Sequence, residues 1–155
     1  MIEVVDDQRG SRTFASAGEL AAVSGEPFAA GSRVKGAEGN AVDWQHWYAA
    51  WSGGDDAAAA SRPTHLQVFA ADEFQATIPW QELQDAFFVY EQDNGLPLQK
   101  SQPIRLYVPN GSSECLNVKS VIRLRIARDP LLGEAATYGF LNRISSEQLL
   151  SARRG

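Results

Sequence analysis

Gln102–Ala127 reads QPIRLYVPNGSSECLNVKSVIRLRIA, and the fold turns on this stretch. Ile104–Val108 has the apolar, β-branched character of a strand, and it stops at Pro109, which has no N–H to give to a ladder. Asn110-Gly111-Ser112-Ser113 has turn chemistry. A second strand is predicted from about Val118 to Ala127. In it Val118, Ser120, Ile122, Leu124 and Ile126 fall on one face, and Lys119, Arg123 and Arg125 on the other. The expectation is a central hairpin. Two cations stand out in it: Arg105 among apolar neighbours, and Lys119 just after a loop of small polar residues. A fixed cation beside free backbone N–H groups is what an anion or phosphate requires.

Outward from the hairpin, Leu66, Val68 and Ala70 alternate with Gln67 and Phe69, and Phe74–Ile78 reads as a further strand. Pro79 opens a predicted short helix over Trp80–Phe87, with Leu83, Ala86 and Phe87 inward. Phe88–Glu91 reads as a buried strand. Asp93-Asn94-Gly95 signals a hairpin turn, with Leu96-Pro97-Leu98 continuing beyond it. Toward the N-terminus, Ile2–Val5 reads as a strand. Ser16 and Glu19 have capping-box spacing for a helix over Ala17–Val23, ended near Gly25 and Pro27. Phe28–Ala41 is predicted as loop with a short strand at Arg33–Lys35. Asp43 is placed to cap a helix in which Trp44, Trp47, Tyr48 and Trp51 share one face. That stripe reads as core, with a stacking platform for a ring as the alternative. Ser52–Pro63 reads as a flexible low-complexity loop. Asp129-Pro130 breaks the chain, Tyr138–Asn142 is a short aromatic segment, and Ser145–Gln148 again has capping-box spacing. Strands interspersed with short helices, without repeats, predict one α+β domain over residues 1–155.

Composition limits the function. A net charge of −5 and a pI of about 5.0 argue against general binding to nucleic acid or anionic membranes. Cys115 stands alone, which excludes an internal disulfide and suits a reducing compartment. No basic segment leads into an apolar run at the N-terminus, and no apolar stretch is long enough to span a bilayer. A cytoplasmic location is expected. His46 and His65 lack partners at metal-ligand spacing, and no nucleophile elbow, P-loop or dinucleotide fingerprint occurs. Cys115 itself reads as a small semi-buried apolar residue, with a reactive thiol or a metal ligand as the alternatives.

Several of these segments, taken in order, resemble a known family. They are Asp72-Glu73-Phe74-Gln75-Ala76-Thr77-Ile78-Pro79, Val89-Tyr90-Glu91 with Gly95-Leu96-Pro97-Leu98, Pro103-Ile104-Arg105-Leu106-Tyr107-Val108-Pro109 and Val118-Lys119-Ser120-Val121. Across roughly Thr64–Asn142 this resembles the molybdopterin-binding domain of the sulfite oxidase family. Tyr138-Gly139-Phe140-Leu141-Asn142 looks most like the branch that holds the catalytic subunit of the bacterial methionine-sulfoxide reductase. The resemblance implies mixed twisted β-sheets with short helices, and molybdopterin as the cofactor. It assigns cofactor contacts to Asp72, Arg105 and the segment Asn117, Val118, Lys119 and Ser120. Lys100 stands where sulfite oxidases carry a histidine.

The family binds molybdenum through one cysteine thiolate in the N-terminal half. The matching stretch here is Lys35-Gly36-Ala37-Glu38-Gly39, with Gly36 at the ligand position. Glycine offers no ligand atom. The expectation is therefore a non-catalytic member that keeps part of a pterin or anion pocket and acts as a small binding or interaction module, for such a ligand or for a protein partner. The alternative is a molybdopterin-dependent oxidoreductase, transferring oxygen atoms at an altered metal site. Arg105 also has a purely structural expectation, an ion pair with Glu91 or Asp72.

Overall fold

The computed structural model describes residues 1–54 and 62–141. Ten strands and two helices follow in order: β1 (Ile2–Asp6), β2 (Gly10–Phe14), α1 (Ala17–Ala22), β3 (Phe28–Ala29), β4 (Asn40–Asp43), α2 (Trp44–Ser52), β5 (His65–Ala70), β6 (Phe74–Pro79), β7 (Phe87–Glu91), β8 (Arg105–Tyr107), β9 (Val121–Ala127) and β10 (Thr137–Phe140). They form a six-stranded sheet, ordered β10-β6-β5-β9-β1-β2, and a four-stranded sheet, ordered β3-β4-β7-β8. Among the described strands only β1 and β9 pair in parallel. The architecture is α+β, dominated by sheet. None of the described helices is long and apolar enough to cross a membrane.

The main core lies between the sheets. Val4, Leu66, Val68, Leu124 and Ile126 come from the larger sheet, and Val42, Phe88, Ile104 and Leu106 from the smaller one and its flank. Helix α2 fills the same core through Trp44, Trp47 and Tyr48. Asp43 caps it, accepting the His46 N–H at 2.9 Å, and Gly53 ends it in the left-handed region at φ 65°. Trp44, Trp47 and Trp51 stack successively at 5.5 and 5.4 Å between ring centroids, so the stripe is core rather than a ligand platform. The Trp47 indole donates to the Leu20 carbonyl at 2.8 Å, which joins α2 to α1. Ser16 caps α1 by accepting the Glu19 N–H, while Glu19 reaches back to the Ala15 N–H.

One charge is buried beside this core. The Asp6 side chain is fully shielded from solvent. It accepts from the Trp51 indole at 2.8 Å, the Gln8 N–H at 2.8 Å and the Arg128 guanidinium at 2.7 Å. Burial pushes its pKa up, but the Trp51 hydrogen bond, the Gln8 N–H and the Arg128 charge together hold it below the ordinary carboxylate value.

The expected central hairpin does not form. Strand β8 closes one edge of the four-stranded sheet, whereas β9 runs inside the six-stranded one. The two halves share one β-bridge, Ile104 with Val121, where the Val121 N–H donates to the Ile104 carbonyl, and one further backbone bond, from the Leu106 N–H to the Val118 carbonyl. Asn110 and Ser120 take left-handed φ values of 63° and 55°, so the chain turns out of one sheet and into the other. Strand β9 accordingly begins at Val121, not Val118. Against β5 it carries a bulge, with Phe69 opposite Arg123 and Ala70 opposite Val121, and Ile122 is the extra residue. The predicted alternation therefore breaks. Val121 is buried and Ile122 is 39% exposed.

Four other expectations are corrected. The helix over Trp80–Phe87 is only a 3-10 turn at Trp80–Leu83, because Phe87 is drawn into β7, where it pairs with both Asp43 and Tyr107. Arg33–Lys35 is no strand; the strands in that region are β3 and β4, paired to each other. The Asp93-Asn94-Gly95 turn forms, with Gly95 at φ 84°, but no returning strand follows, since β7 already pairs with β4 on one side and β8 on the other. Cys115 is exposed rather than semi-buried. The expected flexible loop lies largely at 55–61 and the last predicted helix at 145–153, both outside the described residues.

Candidate functional site

Strand alternation gives the four-stranded sheet two different faces. Phe88, Ile104 and Leu106 point into the main core, and Phe87, Val89 and Tyr107 point away from it. This outer face carries its own small apolar cluster, joined by Ala30 and Ala41 and flanked by Phe28, Val34, Ala37 and Leu98. Phe87 and Tyr107 stack at 5.1 Å. Arg105 shares the parity of Tyr107, so it also faces outward.

A cleft of about 440 Å³ opens beside this cluster. Val89, Arg105 and Tyr107 line it from the sheet. Gly36, Glu38 and Gly39 form one wall, Gln92, Asp93 and Asn94 form another, and Leu98 and Ser101 complete the lining. The two walls are tied together, because the Gly39 N–H donates to Asp93 Oδ1 at 2.9 Å. Gly39 has φ 103°, and a Cβ there would lie 2.5 Å from the Glu91 carbonyl oxygen, so no other residue fits. Asn40 follows, its amide donating to Glu91 Oε2 at 2.7 Å.

Arg105 is the cation of the cleft. Its guanidinium carbon lies 4.6 Å from the centroid of the Tyr107 ring. Its Nε is buried and has no hydrogen-bond partner. Among the described residues no ion pair joins it to Glu91 or Asp72, so the structural pairing expected from the sequence does not form. A buried donor without an acceptor is costly in a finished fold, and the Arg105 side chain that carries it lines the cleft.

The other sequence-derived candidates lie elsewhere. Asp72 sits in the exposed β5–β6 turn and accepts the Phe74 N–H at 3.1 Å, which is a turn contact. Asn117 accepts the Val108 N–H through its side chain at 2.7 Å, fastening the two ends of the loop between β8 and β9. Val118 is buried in the main core, and its carbonyl accepts the Leu106 N–H. Lys119 is exposed, and the Ser120 carbonyl accepts the Ala71 N–H. None of these five residues lines the cleft, so the structure separates Arg105 from the segment with which the sequence grouped it. Cys115 does not line it either, and its backbone N–H is held by Ser113 Oγ in the 3-10 turn at Glu114–Leu116.

Sequence reasoning did bring one distant pair together. Gly36, singled out as the position of a missing ligand, lies in the same cleft as Arg105. It missed Glu38, Asp93 and Tyr107 as site residues. The only signals for them were the Gly-x-x-Gly spacing of Gly36 and Gly39 and the Asp-Asn-Gly turn, and neither speaks of a binding site. Among the described residues no group of three or more His, Cys, Asp or Glu side chains is placed to hold a metal. No family model, no curated protein and no solved structure matches this chain.

Proposed function

We propose that this chain is a non-catalytic binding module of the molybdopterin-binding-domain type, taking a small, planar, anionic ligand such as a pterin in the cleft beside β8. The observation that carries the reading is the free Nε of Arg105, buried at the edge of a cleft that also contains Gly36. The guanidinium held over Tyr107 presents its remaining N–H groups in a fixed fork, which suits a carboxylate or a ring oxygen. The lining mixes the apolar Val89, Leu98 and Tyr107 with the polar Gln92, Asp93, Asn94 and Ser101, which suits a small heterocycle with a polar rim.

The cleft does not fit a molybdenum centre held through protein. No thiol lines it, and glycine stands at the position where the resemblance would put one. Crowding is not the reason, since a Cβ at Gly36 would meet nothing within 4 Å. Oxygen-atom transfer through a protein-anchored metal is therefore not part of this reading. The sulfite-oxidase type of fold is likewise proposed on the pair of sheets, one mixed and one antiparallel, and on the order of motifs.

Fluorescence titration with pterin-6-carboxylate tests the reading. Saturable binding with a Kd below about 1 mM, weakened at least tenfold by Arg105→Ala, supports it. No saturable binding up to millimolar ligand sinks it. Stoichiometric molybdenum in protein purified from a molybdopterin-producing host would overturn the non-catalytic assignment.

A further inference from the structure

The cleft holds charges of both signs that do not neutralise each other. Glu38 and Asp93 line it together with Arg105, yet no ion pair joins the guanidinium to either carboxylate. Asp93 spends one oxygen on the Gly39 N–H. Glu38, exposed in the opposite wall, has no hydrogen bond or ion pair to another described side chain. Had the site been made for a polyanion, two carboxylates against one guanidinium would repel it. Had it been made for a cation, the unpaired Arg105 would do the same.

We infer that the cleft selects an amphoteric heterocycle, one that turns a single anionic group to Arg105 and an N–H-rich, amidine-like edge to Glu38 and Asp93. This rests on the binding reading above and adds the rule by which the site would choose. A carboxylate accepts two parallel N–H bonds from an amidine edge, the same geometry in which it accepts from arginine. Replacing one of those donors by a carbonyl puts an acceptor against the carboxylate, so a charge-assisted hydrogen bond gives way to repulsion. The site therefore rejects a 2-oxo ring and accepts a 2-amino one.

The test uses two ligands that differ at that one position: pterin-6-carboxylate, with the amino group, and lumazine-6-carboxylate, with a carbonyl in its place. Each is titrated into the whole chain by calorimetry. Wild-type protein should bind the pterin at least tenfold more tightly than the lumazine. Glu38→Gln with Asp93→Asn should bring the two within about twofold, the asparagine still accepting the Gly39 N–H so that the wall keeps its shape. Arg105→Ala should weaken both ligands alike. Equal affinity of the wild-type protein for both ligands overturns the selection rule and leaves the binding reading standing. A preference that survives the double substitution also overturns the rule. Binding of neither ligand overturns both.

Discussion

Arg105 lies over the ring of Tyr107 and forms no ion pair with any described carboxylate, although it opens a strand with apolar neighbours on both sides in sequence. A structural arginine in such a place ordinarily has a carboxylate partner, and its loss is costly. Here there is no partner to strand. Arg105→Met, which keeps the stem over Tyr107 and removes the unsatisfied Nε–H, should leave stability without ligand unchanged or raise it by up to about 1 kcal/mol. Urea unfolding checks this; a loss above about 2 kcal/mol would assign Arg105 to the fold instead of the ligand.

Lys119→Ala and Asp72→Ala should each leave the affinity for pterin-6-carboxylate within about twofold, because neither residue lines the cleft. A tenfold loss on either would return the site to the loop between β8 and β9.

Gly39→Ala should cost at least about 2 kcal/mol, since the added Cβ meets the Glu91 carbonyl and Val89 in a backbone conformation that alanine rarely adopts. The Gly39–Asp93 tie should loosen with it, so ligand affinity should fall together with the thermal midpoint. Unchanged affinity in a destabilised variant would separate the wall from the site.

Asp6 makes stability depend on pH. Its folded pKa lies below the unfolded value of 3.8, so its contribution is complete above that value and is lost as pH falls through the lower folded one. Asp6→Asn should cost about 2 kcal/mol at pH 7, where the charge-assisted bonds from Arg128 and Trp51 are weakened. In urea titrations the gap between wild type and variant should narrow as pH drops from 4 toward about 2. A gap independent of pH would mean that shape, not charge, is what Asp6 supplies.

Trp47→Ala should cost roughly 3–5 kcal/mol, removing a fully buried indole and the hydrogen bond it gives the Leu20 carbonyl. Near-ultraviolet circular dichroism should lose much of its signal, because Trp47 stands between Trp44 and Trp51 in the stack.

Elements set by local periodicity were legible in the chain. The Trp44–Trp51 spacing specifies one helical face, and Asp43 and Gly53 mark its ends. Leu66, Val68 and Ala70 specify one face of β5. What could not be read was pairing between distant strands. The residues from 102 to 127 carry every local sign of a hairpin, yet Phe88 and Phe69 offer β8 and β9 partners in different sheets. The bulge at Ile122 leaves no local signature, since an extra residue in one strand is defined only by its neighbour. The site suffered from the same blindness. Arg105 and Lys119 were expected in one hairpin and matched two cofactor motifs of the same family, whereas the side-chain direction of Arg105 places it with Glu38 and Asp93 on the outer face.

Residues 28–39 contribute their buried side chains, Ala30 and the partly covered Phe28, Val34 and Ala37, to the small outer cluster and none to the main core. Opening the β3–β4 pairing and the Arg33–Asp43 ion pair would free that segment without exposing the main core, so its amides should exchange with deuterium before those of β5 and β9. It also carries Gly36, Glu38 and Gly39. A molecule gripping Glu38 and Arg105 at once would pin the flap to the sheet, and occupancy would register as slowed exchange at 30–37, far from any change in the rest of the chain.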